Sequence, residues 1–523
     1  MLIDFRDHSA LLTDPDVVAV GAGAVGLCLA VDLARRGKRV ILLEAGGKSV
    51  EPDSQKFFEN ASWHGNALEG LHLGRFRALG GTTNFWSGQL LEFDPIVFEQ
   101  RSWIEDHGWP IQRTDLDDAY ARAYDMLGLA RRIDDDAVWQ RLKIAPPSVD
   151  RNLDFFFSRW VPETNLARLF ENEIAKLTNL QVVINAPVTA LSMSSDKAIA
   201  SLVIGGIGGK QIHLSAPRII LAQGTIEMAR LLCMPLALGN AAPWAGNPWL
   251  GRGFADHVDA YAGTVTPIDR KRFHQIFDSS FVDGLKYNPK LKLSEAAQRE
   301  NAMLGIAAHF IFNSSFAEDL SALKVFARGI LKGRFDGRIL TYPAKLIPLA
   351  KIGVPMVLRY LRYRRTYNPA DRGIQLRLTG EQIALRTSRL QLSDTRDDLG
   401  MPIVAMDWQV DGAEIETMAG FAKHVADFLE AEGLAKVDLA PQLVARDRAF
   451  MAGVDDANHH MGMVRMGRDA GDGVVDSNLK VFGTDNLFVA GAATFRAAGF
   501  ANPTLTAIAL GLRLSAAIDA EAL

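Results

Sequence analysis

The sequence predicts an α/β protein (α+β overall), in which a domain of parallel strands is interleaved with a second domain built on a mostly antiparallel sheet. Two observations carry this prediction. Units of an apolar strand, a glycine turn and a helix occur at 16–44, 217–232 and 485–518, in the front, middle and back of the chain. Between about 265 and 430 that unit disappears, and alternating stretches such as "SRLQLSD" and "IVAMDWQV" indicate antiparallel strands instead.

The opening unit, "DVVAVGAGAVGLCLAVDLARRGKRVILLEAGG", has the features of a Rossmann-like dinucleotide-binding turn. Gly21 permits the tight turn, Gly23 lets the backbone approach a pyrophosphate, and Gly26 lets the helix pack close to the strand. The pyrophosphate would face the free amides at the helix N-terminus. Glu44 ends the next strand, where its carboxylate can accept hydrogen bonds from an adenosine ribose. This unit alone does not distinguish FAD from NAD.

Two interleaved domains are expected because a chain of 523 residues exceeds one hydrophobic core, and no internal repeat or low-complexity linker divides it. We assign the first, dinucleotide-binding domain to residues 1–95, 160–265 and 440–523. We assign the second, substrate-binding or cap domain to residues 96–159 and 266–439.

The segment 324–365 is strongly basic, with 11 Lys and Arg residues against the single acidic Asp336. The favoured interpretation is a solvated, partly packed lid over the active site. A membrane-surface element or a subunit-docking element remains as an alternative. Pro343, Pro348 and Pro355 are expected to break any long amphipathic helix here.

Composition excludes one class of function and suggests a location. A net charge of −4 argues against a nucleic-acid-binding protein, which needs a basic surface. Two cysteines, Cys28 and Cys233, cannot build a disulfide framework and favour a reducing compartment. The first residues lack the apolar run of a signal peptide, and no apolar segment reaches the roughly 18–20 residues that span a bilayer. We therefore expect a cytoplasmic protein without a transmembrane segment.

Two further segments are candidates for ligand contact. "RFRALGGTTNFWSGQL" at 75–90 has a glycine pair and small hydroxyl residues, and is either a ligand-binding loop or a plain glycine-rich loop. In "ANPTLTAIAL", Asn502 is expected to be the N-cap and Pro503 the first residue of a helix. The positive end of that helix can stabilise negative charge on a reduced flavin. Capping alone also explains Asn502 completely.

The stretch "NHHMGMVRMG" at 458–467 holds two of the 11 histidines. Adjacent histidines are poorly placed to grip one metal, and no Cys/His/Glu cluster at ligand spacing lies nearby, so no metal is expected. A catalytic base and a histidine satisfied within the core are both compatible with the composition.

Together these motifs resemble the glucose–methanol–choline (GMC) family of FAD oxidoreductases, nearly end to end. The resemblance rests on the opening fingerprint and on "GGTTNFWSG", "LAQGTIEMARLL", "LGRGFADH", "HHMGMVRMG" and "NLFVAGAATFRAAGFANPTLTAIAL". The most similar branch is that of the pyranose oxidases and the related bacterial sugar and glycoside 3-oxidising enzymes. The resemblance implies that the first domain binds FAD.

The resemblance also implies the catalytic residues. In that family the catalytic base is the first histidine of an H-x-x-G run, here His459, with His460 as a supporting residue. The second catalytic position in this branch is the Asn of an A-N-P-T run, here Asn502. Pyranose oxidases carry a flavin-linked histidine where this chain has Phe85, so non-covalent FAD is expected, with Ser87 near its reactive edge.

Contacts to the cofactor and the substrate are implied in the same way. Trp86 and the strand around Glu381 are also possible substrate-side groups. The expected substrate-binding residues are Gln382 and His460. The expected FAD-binding residues are Gly21, Gly23, Gly26, Glu44, Arg77, Gly81, Asn84, Trp86, Ser87, Val188, Ala222, Gly491 and Thr504.

The implied reaction is oxidation of a secondary hydroxyl of a sugar or glycoside, at C3 or C2, to the keto sugar. His459 takes the hydroxyl proton while hydride passes to flavin N5, and the electrons go on to O2 or a quinone-like acceptor. The protein could be an oligomer. The alternatives are a FAD-dependent primary-alcohol or amino-sugar dehydrogenase, a non-redox member such as a hydroxynitrile lyase, and a flavoprotein that only binds or carries electrons.

Overall fold

A computed structural model describes residues 1–7, 11–105, 107–194, 197–205, 211–237, 239, 241–315, 346–410 and 412–522. The helices are α1 Ala24–Arg35, α2 Pro52–Glu59, α3 Gly70–Leu73, α4 Asp117–Met126, α5 Asp135–Leu142, α6 Leu166–Leu169, α7 Glu171–Lys176, α8 Thr225–Cys233, α9 Arg270–Phe277, α10 Glu295–Asn301, α11 Leu346–Tyr363, α12 Glu414–Ala431, α13 Pro441–Val444 and α14 Thr504–Asp519.

The strands follow the same chain order. They are β1 Leu2–Asp4, β2 Val17–Val20, β3 Val40–Leu43, β4 Ser62–Gly65, β5 Gln89–Leu90, β6 Leu153–Trp160, β7 Leu180–Ile184, β8 Val188–Met193, β9 Ile199–Gly205, β10 Gln211–Leu214, β11 Arg218–Leu221, β12 Val258–Pro267, β13 Ser280–Val282, β14 Leu285–Leu293, β15 Ile306–Phe312, β16 Ile374–Gly380, β17 Arg389–Arg396, β18 Pro402–Trp408, β19 Ala435–Leu439, β20 Asp455–Asp456 and β21 Leu487–Val489.

Six parallel strands form one sheet, in the order β1-β7-β3-β2-β11-β21. Strands β2 and β3 are buried along their whole length, as expected for parallel strands covered on both faces. Helices α1 and α14 pack against each other beside this sheet. A Cβ on Gly511 of α14 would lie 3.1 Å from Val25 Cγ1, so this glycine permits the close helix contact.

A second sheet of nine strands is antiparallel throughout, in the order β19-β12-β16-β15-β14-β6-β5, with β13 beside β14 and β20 beside β12. Buried and partly exposed residues alternate along β14 and β16. Lys290 lies opposite Phe156, and His309 lies opposite Arg377. Since opposed residues of antiparallel strands point to the same face, the register gathers these side chains on one side of the sheet. The predicted combination of a parallel unit with a mostly antiparallel sheet is confirmed.

Two three-stranded sheets complete the strand pairing of the described residues. The first has the order β10-β9-β8, and the second has the order β17-β18-β4, in which β4 runs parallel to β18. The first consists of consecutive strands, whereas the second joins distant segments, since β4 precedes β18 by more than three hundred residues.

Part of the basic segment 324–365 can be placed, while residues 316–345 lie outside the described residues. The helix α11 contains Pro348 and Pro355, so the expectation that these two prolines break a long helix is wrong, whereas Pro343 lies outside the described residues. Pro348 lies in the first turn, where a missing N–H costs nothing, and Pro355 removes one helical hydrogen bond without ending the helix. Among the helices described, none is long and apolar enough to cross a membrane.

Candidate active site

The glycine turn after β2 opens onto a large cavity. Gly21 has φ +97°, and a Cβ there would lie 2.4 Å from the Gln223 backbone, so the turn requires glycine. A Cβ on Gly26 would lie 1.9 Å from the Gly21 carbonyl oxygen, which explains the close approach of α1 to the strand. Gly23 differs, because nothing lies within 4 Å of its Cβ position and the residue lines the cavity. A side chain at Gly23 would therefore occupy space that a ligand can use.

This cavity has a volume of about 590 Å³ and lies at the carboxyl ends of β2, β11 and β21, where parallel sheets bind ligands. It brings together most of the residues predicted from the sequence. Those that line it are Gly21, Gly23, Glu44, Arg77, Gly81, Trp86, Ser87, Val188, Ala222, Gly491, Thr504, His459, His460 and Asn502.

Three predicted residues lie outside the cavity lining. Gly26 lies beneath the turn, and Asn84 holds the loop by donating to the carbonyls of Leu79 and Gly81 at 3.0 and 2.8 Å. Gln382 is buried, and its side chain donates to the Gln409 carbonyl at 2.7 Å. The Gln382 Oε1 atom accepts from the Asp256 amide and the Trp408 indole, so its hydrogen bonds stay within the protein.

Glu381 also stays within the protein. The Arg101 guanidinium donates to both Glu381 carboxylate oxygens at 2.7 and 2.6 Å, and both side chains are fully buried. Burial raises the pKa of Glu381, but Arg101 outweighs it and lowers the pKa to about 2. This buried pair ties Arg101 to the residue that follows β16, and neither side chain lines the cavity.

Several groups in the cavity suit a dinucleotide. The Glu44 carboxylate accepts from the amides of Ala22 and Gly46 at 2.9 and 2.8 Å, and burial raises its pKa to about 7. Among the described residues, Arg77 Nε and Gln223 Oε1 are buried without a hydrogen-bond partner, and both side chains line the cavity. Unpaired buried polar atoms of this kind indicate a polar ligand. The residues present therefore fit FAD, with Gly23 as the cradle for its pyrophosphate.

The loop around Phe85 has no nucleophile where the resemblance places a covalent flavin link. Phe85 is 68% exposed and stacks on Phe76, with ring centroids 5.1 Å apart. Next to it, Trp86 points into the protein, and its indole Nε1 donates to the Thr164 carbonyl at 2.6 Å.

His459 and Asn502 come together from distant parts of the chain. Asn502 Nδ2 lies 2.9 Å from His459 Nε2, and Asn502 Oδ1 accepts from Gln89 Nε2 at 2.6 Å. On the other side of the ring, His459 Nδ1 lies 2.8 Å from Nδ1 of His257. The sequence showed no role for Gln89 or His257, although His257 ends the quoted "LGRGFADH" motif.

These contacts favour one set of tautomers. Because Gln89 occupies Asn502 Oδ1, the Asn502 amide presents Nδ2–H to His459, and His459 Nε2 must accept. The His459 proton is then on Nδ1, where it donates to the unprotonated Nδ1 of His257. Burial lowers the pKa of His459 well below its usual value, and His257, His460 and Lys290 lower it further. Burial also lowers the pKa of His257 to about 4. His459 is thus a neutral base with its lone pair at Nε2.

The expectation that Asn502 is a helix N-cap is wrong. The helix α14 begins at Thr504 with Pro503 in the cap position, and no side chain caps it. Proline supplies a fixed φ but no side-chain acceptor, and the Asn502 amide is engaged by Gln89 and His459 instead.

His460 has a supporting position behind this pair. Its carbonyl accepts from Thr225 Oγ1 at 2.7 Å, its ring packs near Phe254, and burial lowers its pKa to about 3. One potential ligand atom each of Asp256, Asp456 and His460 lies within 4.8 Å of the others. The Asp256 carboxylate already accepts from the amides of three neighbouring residues, including His459, so we assign no metal here.

A second, polar cavity of about 330 Å³ meets the first one at His459 and Asn502, which line both together with Gln89 and Ala457. Its other walls come largely from one face of the nine-stranded sheet. The sheet residues that line it are Phe156, Asp259, Lys290, Ala307, His309, Arg377, Thr379, Asp455 and Asp456. The neutral imidazole of His459 therefore lies where a large dinucleotide-sized cavity joins a smaller cavity rich in hydrogen-bonding groups.

Comparison with family models agrees with this geometry. Residues 16–232 match the family described as FAD dependent oxidoreductase, and residues 384–511 match the family described as GMC oxidoreductase. The first match contains the glycine turn, and the second contains both His459 and Asn502.

Among curated proteins, the chain is 21% identical to the fructose dehydrogenase large subunit of Gluconobacter japonicus, over 96% of this chain and 97% of that protein. It is 31% identical to the C-glycoside 3-oxidase of Microbacterium trichothecenolyticum, over 24% of this chain and 23% of that protein. It is 30% identical to the 6'''-hydroxyparomomycin C oxidase of Streptomyces lividus, over 25% of this chain and 22% of that protein. The last two matches are therefore partial.

Solved structures share the fold over nearly the whole chain. Pyridoxine 4-oxidase from Mesorbium loti matches with a TM-score of 0.55 and 17% identity, covering 96% of this chain and 99% of that one. A FAD-dependent oxidoreductase from Chaetomium thermophilum matches with a TM-score of 0.60 and 12% identity, covering 97% and 100%. At these identities the likeness shows the fold.

Proposed function

Because the chain is a FAD-dependent oxidoreductase of the GMC family, we propose that it oxidises a secondary hydroxyl of a sugar or glycoside, at C3 or C2, to the keto sugar. One observation carries this proposal: the neutral His459–Asn502 pair lies at the junction of the dinucleotide cavity and the polar cavity. A substrate in the polar cavity would present its hydroxyl to His459 beside the cofactor. Curated relatives named for fructose and for a C-glycoside support a sugar as the substrate.

The chain's residues divide the chemistry as follows. The substrate hydroxyl takes the place of Asn502 Nδ2 at the His459 Nε2 lone pair, and Asn502 Nδ2 then donates to the hydroxyl oxygen. His459 Nε2 accepts the hydroxyl proton as general base while its Nδ1–H continues to donate to His257. Bound FAD would supply the acceptor for the hydride that leaves the carbon bearing this hydroxyl. The Asp256 carboxylate accepts from the backbone amide of His459 and so holds this part of the backbone in place.

Proton and hydride leave the substrate together, which converts the alcohol to a carbonyl and leaves the enzyme reduced. We propose that the electrons then pass to O2 or to a quinone-like acceptor. We also propose that residues 1–95, 160–265 and 440–523 form the FAD-binding domain and that residues 96–159 and 266–439 form the substrate domain. The dinucleotide turn lies in the first set, and most strands of the nine-stranded sheet lie in the second, with β5, β12 and β20 contributed by the first.

Anaerobic mixing of the purified protein with a panel of free sugars and glycosides tests the proposal. We expect at least one sugar to bleach the oxidised-flavin absorbance, and NMR of the product to show a ketone at C2 or C3. Readmitting air then shows whether O2 is the acceptor. Bleaching by simple primary alcohols with none by any sugar would contradict the proposal.

A further inference from the structure

Helix α11 exposes a row of apolar side chains that a surface helix normally buries. Val354, Val357, Leu358 and Leu361 follow one another at the spacing of a single helix face, and these residues are 57%, 50%, 62% and 62% exposed. In a surface helix such a row usually faces the core, with the charged residues turned to water. These four residues, the apolar row of α11, therefore mark an interaction surface.

The opposite side of the same helix is fastened to the protein. Arg359 donates to the Asp278 carboxylate, and Arg365, just after the helix, is buried and donates to the Gln275 carbonyl. Both contacts join α11 to the end of α9. The helix is therefore held by its basic side, and its apolar row faces outward.

Further basic residues accompany the apolar row. Residues 337–370 contain seven Lys and Arg residues and no Asp or Glu. Among them, Arg362 and Arg364 are exposed at the end of the helix, and neither forms an ion pair with a residue that the structure describes. Their guanidinium groups lie 5.5 and 5.1 Å from the ring centres of Tyr363 and Tyr360. An apolar row beside unpaired basic residues is typical of helices that lie in the plane of a membrane surface.

The charges favour a lipid surface over another protein segment as the partner. A second copy docked through the same row would bring Arg362 and Arg364 of both copies together, with no acidic residue in 337–370 to balance them. The preceding residues 320–345 are also basic, with six Lys and Arg residues against Asp336. Anionic phospholipid headgroups supply the missing negative charge, and the acyl boundary beneath them can take the apolar row.

We propose that α11 docks the protein onto an anionic phospholipid bilayer, lying in the surface with its apolar row between headgroups and acyl chains. None of the described residues of α11 lines either cavity, which favours a surface contact over a lid on the active site. Binding by such helices increases with the apolar area buried and with the attraction to anionic lipids, so both the row and the arginines contribute. This inference does not depend on the proposed reaction.

Sedimentation of the flavin-containing protein with sucrose-loaded vesicles tests the proposal. One set of vesicles is phosphatidylcholine alone, and the other is an equal mixture of phosphatidylcholine and phosphatidylglycerol. We expect the protein to sediment with the mixed vesicles and to stay in solution with the neutral ones. Added salt should weaken the binding, because it screens the attraction. Absence of binding to the mixed vesicles, or equal binding to both sets, would overturn the proposal.

Single variants locate the contact. Leu358→Gln and Leu361→Gln should each lower the partition coefficient about 10-fold, the lower end of what burial of a leucine side chain contributes. Arg362→Gln should lower it about fivefold on the mixed vesicles, the usual contribution of one basic residue near an anionic surface. Leu73→Gln is the matched control, because Leu73 is 66% exposed on the separate helix α3, and it should bind like the wild type. The flavin spectrum and circular dichroism report that each variant folds.

A row that pairs two copies of the chain gives a different result. Light scattering without lipid would then show a dimer that Leu358→Gln and Leu361→Gln dissociate, and vesicle binding would not respond to either substitution. That result, or wild-type vesicle binding in both leucine variants, would overturn the proposal.

Discussion

At the scale of single residues, the protonation state of His459 decides whether the site can act as a base. Its Nε2 accepts from Asn502, its Nδ1 donates to His257, and burial holds its pKa well below the usual histidine value of 6.5. Above that pKa the His459 imidazole is already unprotonated, so it can accept a proton from a substrate at physiological pH. The contacts with Asn502 and His257 favour a proton on Nδ1, with the Asn502 amide oriented by Gln89.

This arrangement predicts the pH dependence of flavin reduction. A protonated His459 cannot accept the hydroxyl proton, so the second-order rate constant falls as the pH decreases through the pKa of His459 in the free enzyme. Since that pKa lies well below 6.5, we expect no loss between about pH 8 and pH 6.5 and a fall only at lower pH. Anaerobic stopped-flow rates across this range provide the measurement. A titration with its midpoint at or above 6.5 would mean that burial does not control His459.

Phe85 carries a second prediction at this scale. The aromatic ring at this position offers no atom that can bond to flavin, so FAD should be held without a covalent link. Acid precipitation of the holoenzyme should release the flavin into the supernatant, where its absorbance is measured. Flavin that stays with the precipitated protein would show a covalent link elsewhere in the chain.

At the scale of elements, the glycine turn between β2 and α1 prepares the cofactor site, and its glycines have different functions. Gly21 and Gly26 allow tight backbone contacts, whereas Gly23 leaves open space in the cavity. A side chain at Gly23 should therefore be tolerated by the fold but not by the cofactor.

Gly23→Val tests this difference. We expect a folded protein that is purified without flavin, because the valine side chain fills the pyrophosphate cradle. The ratio of flavin to protein absorbance measures the loss, and circular dichroism reports the fold. Gly246→Val is the matched control, because its Cβ position is equally open but does not line the cavity, and it should remain yellow. A yellow Gly23→Val protein contradicts this function of the turn.

The elements also show how far local sequence could predict the site. The glycine turn and the strand–helix units are local patterns, and the structure has them where the sequence predicts them. Asn502 was wrongly expected to cap α14, because the local "NPT" pattern does not reveal that Gln89 and His459 occupy its amide. The helix through Pro355 was not predicted either, because a proline lowers the stability of a helix without forbidding one.

At the scale of the whole molecule, two sheets that are assembled from distant segments create the two cavities that meet at His459. The parallel sheet presents its carboxyl ends to the larger cavity, and one face of the nine-stranded sheet lines the polar cavity. The polar residues Lys290 and Arg377 are far apart in sequence, and strand pairing places them on the two strands that flank His309. Alternation along each strand predicts which residues share a face, but it does not predict which strands pair.

The central claim is that His459 is the general base of sugar oxidation, and the most direct measurement is the anaerobic rate of flavin reduction by a sugar in His459→Ala. We expect this variant to bind FAD normally and to reduce it about 10²- to 10⁴-fold more slowly, the usual loss for a missing general base. His213→Ala, which removes a histidine from β10 outside both cavities, should keep the wild-type rate. A His459→Ala protein with the wild-type rate would contradict the account.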